Sequence, residues 1–73
     1  MSRELSALKK RVGARIRERR TGLGMSQEEL AFRADISPTY LSQIESGQRN
    51  PSLATMFNLA VALRLDLSEV VKA

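Results

Sequence analysis

The sequence predicts an all-α fold, a compact five-helix bundle, and three observations carry that prediction. Apolar residues recur at three- and four-residue steps along most of the chain. A serine or aspartate stands before each apolar stretch after the first, in the position of a helix N-cap. No run of alternating apolar and polar residues marks a strand, and no internal repeat or low-complexity segment breaks the pattern. The length agrees: 73 residues make one domain, 1–73, near the lower limit for a core without staples.

The first helix is expected from about Glu4 to Arg20, with Leu5, Leu8, Val12 and Ile16 on one stripe and residues 1–11 as an N-terminal extension. Gly13 inside it costs about 1 kcal/mol relative to alanine, which predicts close packing against a neighbour. Gly22 and Gly24 end it. Ser26 caps the second helix, and Glu29 completes a capping box. Ser37 caps the third, with Pro38 at the first helical position, where its missing N–H does no harm. Gly47 stops that helix and Gln48 to Pro51 form a polar loop. Ser52 caps the fourth helix, which carries Leu53, Met56, Leu59, Ala60 and Leu63 inward. Asp66 and Glu69 make a second capping box for a short fifth helix holding Leu67, Val70 and Val71.

Within this plan the stretch Gln27–Glu45 reads as two short helices joined by a tight turn. Leu30, Ala31 and Ala34 give the first an apolar face, Ile36 plugs the turn, and Leu41 and Ile44 line the second. Asp35 stands where the chain must turn, and aspartate tolerates left-handed angles better than most residues. This is a helix-turn-helix, formed by helices 2 and 3, whose second helix is shaped for the DNA major groove.

Charge supports a polyanion partner. The net charge is +4, with eight basic residues against two glutamates in residues 1–24 and two against four acids in residues 25–50. The basic run thus lies on the first helix, beside a net-acidic motif. With no histidine or cysteine, zinc fingers, disulfides, thiolate and imidazole chemistry are excluded. No catalytic residue, metal or cofactor is expected, and the chain is not read as an enzyme. No apolar run approaches membrane-spanning length and no signal peptide precedes the first charges, so a cytoplasmic protein with no membrane partner is expected, nucleoid-associated when bound.

Five segments, in order and spacing, resemble a known family: V-G-A-R-I-R at 12–17, G-M-S-Q-E-E-L-A at 24–31, S-P-T-Y-L-S-Q-I-E-S-G at 37–47, N-P-S-L at 50–53 and L-A-V-A-L at 59–63. The chain is similar to the lambda-repressor-like helix-turn-helix domains of the Xre or Cro/C1 type. That resemblance implies a five-helix bundle, dimeric on near-palindromic double-stranded DNA. It assigns base contacts to Pro38, Thr39, Tyr40 and Gln43, and phosphate contacts to Gln27, Ser37, Arg49 and Asn50. Gln43 can pair with adenine, and Thr39 can touch a thymine methyl. Gln27 binds phosphate and buttresses the reading helix, or is a solvated first-turn residue. Tyr40 reaches DNA or covers the core edge. The resemblance also implies an internal ion pair between Arg20 and Glu45, which would neutralise a carboxylate beside the DNA face.

Three positions depart from the family pattern. Asp35 replaces the turn glycine, Arg64 stands where a glycine ends the fourth helix, and Pro38 replaces a polar residue at the first reading position. Phe32, Phe57 and Val61 are apolar where polar side chains are usual. Phe32 is expected to pack on the extended first helix. Phe57, Val61, Leu67 and Val70 form a dimer surface or simply complete the core. The expected function is a homodimeric, sequence-specific transcriptional regulator of bacterial or phage type, a repressor or autoregulator. The alternative is an antitoxin or adaptor module whose partner is another protein.

Overall fold

Each of the four helices in the computed structural model, which describes residues 3–65, ends in the same closure. The helices are α1 (Arg3–Gly22), α2 (Gln27–Ala34), α3 (Pro38–Glu45) and α4 (Leu53–Leu63). A left-handed residue stops each one: Gly24 (φ 76°), Asp35 (φ 60°), Gly47 (φ 82°) and Arg64 (φ 58°). Two backbone hydrogen bonds then fold back. Met25 N donates to Arg20 O (3.1 Å), Ile36 N to Ala31 O (3.0 Å), Gln48 N to Gln43 O (2.9 Å) and Leu65 N to Ala60 O (2.8 Å), each beside a shorter loop. Met25, Ile36 and Leu65 are apolar and pack against the core. Gln48 is polar and exposed, so only the end of α3 opens to solvent.

The starts are as regular. Ser26, Ser37 and Ser52 accept from Glu29 N (3.0 Å), Tyr40 N (3.0 Å) and Thr55 N (3.1 Å). Each such cap contributes about 1 kcal/mol. The Ser26 box is half formed, because the Glu29 carboxylate pairs with Arg33 (2.6 Å) instead of reaching back.

The core holds Val12, Ile16, Leu30, Ala31, Ala34, Leu41, Ile44, Leu59, Ala60 and Leu63. α1 crosses α3 at Gly13, where an added Cβ would lie 2.7 Å from the Glu45 carbonyl oxygen. α2 packs on α4, and Asn58 Nδ2 donates to Ala34 O (3.3 Å). Arg19 Nε donates to Leu63 O (3.0 Å), tying α1 to the end of α4. No helix among the described residues is long and apolar enough to cross a membrane.

Three expectations are corrected. The described structure is a four-helix, not a five-helix, bundle. The fifth helix, placed from Asp66 with Leu67, Val70 and Val71, lies outside the described residues. Among the described residues Leu59 and Leu63 are fully buried, and Leu65 packs against the core below Arg64. Leu53 points outward (76% exposed), and buried Thr55 takes the inward position, its hydroxyl accepting from Ser52 Oγ (3.0 Å). Phe32 is 85% exposed and does not pack on α1. Helical spacing puts it nearly opposite Leu30, Ala31 and Ala34, which already hold α2 in the bundle.

Gly13→Ala tests the crossing. Alanine favours the helix by about 1 kcal/mol, yet its methyl meets α3 backbone that cannot rotate away. A net loss of about 2 kcal/mol in urea unfolding is expected, and an unchanged midpoint would mean the crossing is loose.

Candidate nucleic-acid interface

The inner side of α3 is fixed by Leu41, Ile44 and Glu45, all buried. Its outer side therefore presents Pro38, Thr39, Ser42 and Ser46, all exposed, with half-buried Gln43 between them. Thr39, Ser42, Gln43 and Ser46 follow steps of three and four, so they share one face. Sequence reasoning named Pro38, Thr39 and Gln43 but missed Ser42 and Ser46; the helical step from Thr39 was the available signal. This face carries no charge. Its one long polar side chain is Gln43, flanked by short ones that allow close approach.

On one flank lies the buried pair. Arg20 Nε meets Glu45 Oε2 at 2.7 Å and Arg20 Nη2 meets Oε1 at 3.1 Å, a two-point fit. Arg20 Nη1 also donates to Met25 O (2.8 Å), and Gln27 Nε2 donates to Glu45 Oε1 (3.0 Å). Both charged residues are only 8% exposed. Among the described residues no buried side-chain polar atom lacks a partner. Gln27 thus uses one amide N–H on Glu45 and keeps a second for an outside acceptor. It borders a polar groove of about 350 Å³ lined by Arg17, Arg20, Gln27, Ser42, Glu45 and Ser46. Arg17 is another residue that sequence reasoning missed. It is exposed at that groove, without an ion pair among the described residues.

The other flank is the loop after α3. Tyr40 is half-buried against the core, and its hydroxyl accepts from Ser52 N (3.4 Å). The Arg49 guanidinium lies over its ring, 5.3 Å from the centroid. Arg49 N also donates to Gln43 O (3.2 Å). Tyr40 therefore covers the core edge and supports Arg49. Asn50 is exposed beside this loop. At the start of α3, Ser37 is exposed with its hydroxyl committed to Tyr40 N, and Pro38 has no N–H to give. Few amides remain there for an anion. Phe57 and Val61 are 56% and 62% exposed and fall in line with Leu53. They do not complete the core; Leu67 and Val70 lie outside the described residues.

A helix-turn-helix family model matches residues 16–70, covering the pair, both flanks and α4. The chain belongs to this family. Family members near it include an uncharacterised HTH-type transcriptional regulator, y4dJ, of Sinorhizobium fredii, 39% identical over 88% of this chain and 83% of the relative. The control protein C.MunI of a Mycoplasma species is 34% identical over 90% of both chains. Among solved structures, the restriction-modification controller protein C.AhdI from Aeromonas hydrophila superposes with a TM-score of 0.85. It is 42% identical, covering 88% of this chain and 97% of that one.

Removing one partner of a buried pair strands the other. Arg20→Ala is expected to lower the unfolding free energy by about 3–5 kcal/mol. Arg15→Ala, which breaks only the exposed pair with Glu18, should change it by less than about 1 kcal/mol. Equal losses in urea titrations would remove the buried pair from its central role.

Proposed function

We propose that this helix-turn-helix protein is a sequence-specific, double-stranded-DNA-binding transcriptional regulator that acts as a homodimer on a near-palindromic operator. The observation that carries this reading is the uncharged polar face of α3 set between two cationic flanks. Neutral polar side chains suit base edges, whose donors and acceptors they can match. Cations to either side suit phosphates and set the register. In this arrangement Gln43 reads a base pair, with Thr39 and the newly recognised Ser42 beside it. Pro38 contributes apolar contact only, and Tyr40 acts through Arg49. Gln27, Arg17 and Arg49 hold phosphate, with Ser37 and Asn50 at the edges.

The exposed Leu53–Phe57–Val61 stripe supports self-association, because three large apolar residues in a row suit a self-complementary contact. A two-fold dimer would set its two reading helices about 34 Å apart along the duplex. Occupying a promoter in this way makes a repressor or autoregulator. The names of relatives agree: one is an immunity repressor protein of Bacillus phage phi105, one is the control protein C.BamHI of Bacillus amyloliquefaciens, and C.AhdI is a restriction-modification controller protein.

Selection of bound sequences from random duplexes tests the whole reading, with two related half-sites expected and a single unspaced site or no enrichment counting against it. On that operator Gln43→Ala should cost about 1–3 kcal/mol and relax preference at one base position. Arg49→Ala should weaken every duplex alike and reduce the salt slope by about one. Phe57→Lys should keep the helical signal while light scattering shows a shift from dimer to monomer. A wild-type monomer that dimerises only with another protein would favour the adaptor alternative.

A further inference from the structure

The basic run on α1 does not act as one patch, because the structure sorts it by face. Arg20 and Arg19 are committed inside the bundle, to Glu45 and to the Leu63 carbonyl. Arg15 pairs with Glu18 on the outer side. Arg3, Lys10, Arg11 and Arg17 remain exposed and Lys9 half-buried, without an ion pair among the described residues; Arg11 lies on the side of Arg15 and Glu18, which leaves Arg3, Lys10 and Arg17. They recur every seven residues, two turns of helix, so they share one edge and span about 20 Å.

Two contacts place this edge beside the reading face. Arg17 lines the groove with Ser42 and Ser46 of α3. Lys10 lies against Gly47, where an added Cβ would come within 2.8 Å of Lys10 Cγ and 3.1 Å of its Cα. The stem of Lys10 is therefore pinned to the chain as it enters the Arg49 loop. Short exposed residues lie beside the three cations, with Ser6 on one side and Ala7 and Ala14 on the other, where they border the face that carries Glu4 and Glu18.

We infer that Arg3, Lys10 and Arg17 form a second phosphate-binding edge, on which the N-terminal extension of α1 follows one DNA strand beyond the helix-turn-helix. The inference rests on the DNA-binding reading above and adds two residues, Arg3 and Lys10, that lie outside the motif. Charge complementarity and continuity with the reading face identify the occupant as a nucleic-acid backbone. The contact is sequence-independent, since the edge offers charge and no base-matching group.

The test compares the full chain with an Arg3→Gln, Lys10→Gln variant and an Arg11→Gln control. Glutamine keeps the side-chain stem, and Arg11 is exposed on the side of α1 that carries Arg15 and Glu18. Affinity is measured across salt on the selected operator and on a random duplex of equal length. The double variant should weaken both duplexes by the same factor, and its salt slope should fall by about two. Arg11→Gln should leave the slope within about half a unit of wild type. Equal slope changes in both variants would reduce the edge to general attraction and overturn the inference, as would an unchanged slope in the double variant. A wild-type chain with no duplex binding would instead overturn the underlying reading, and this one with it.

Discussion

The Arg20–Glu45 pair is the constraint on which the rest of the structure depends. It joins the end of α1 to the end of α3, and through Met25 O and Gln27 it also fixes the start of α2. Burying two charges carries a large desolvation penalty, offset only when geometry and hydrogen bonding are close to complete. Here both carboxylate oxygens and all three guanidinium nitrogens are engaged. The pair therefore tolerates little rotation of α3 about its own axis. A rotation that broke it would also move Thr39, Ser42 and Gln43 off the outward face. The same pair cancels the one acid on α3, which would otherwise stand beside the polar groove.

Close backbone approach complements that pair. Gly13 on α1 meets the last carbonyls of α3, and Gly47 after α3 meets Lys10 on α1. Gly13 cannot gain a side chain without moving the α3 backbone, and one at Gly47 would press on the stem of Lys10. The closure of α3 then differs from the other three in a single respect. Met25, Ile36 and Leu65 turn inward after their helices, whereas Gln48 turns outward and carries Arg49 onto Tyr40. A change of polarity at one position thus converts a repeated folding device into the loop that flanks the reading helix.

The features legible in the sequence were those that depend on neighbours in the chain. Caps at Ser26, Ser37 and Ser52, the left-handed turn at Asp35 and the close approach at Gly13 all follow from local rules. The Arg20–Glu45 pair, twenty-five residues apart, came from resemblance, since no local rule links those positions. Leu53 was misread because it fits two stripes at once, one with Met56 and Ala60 and one with Phe57 and Val61. Periodicity cannot choose between them at a helix end, where the opposing helix has run out. Ser42 and Ser46 were missed although the helical step from Thr39 reaches them, and Arg17 because one arginine in a basic run does not show which side of the bundle it faces. The fifth helix, expected from the cap at Asp66, lies outside the described residues, which hold four.

Charge and recognition are consequently separated in space. α3 has no basic residue, and its only acid is neutralised. A helix of this kind gains little from phosphate attraction along its own length, so on the proposed reading the electrostatic part of binding falls to α1 and the Arg49 loop. The two contributions then respond to different variables. Salt screens the flanks, which are exposed, while leaving the hydrogen-bonding pattern of Thr39, Ser42 and Gln43 nearly untouched. Base sequence, on the proposed reading, acts on the face and not on the flanks. On the proposed reading, such a protein keeps general affinity for duplex DNA while the side chains at Thr39, Ser42 and Gln43 are exchanged, because the pair beneath them sets their direction whatever their identity.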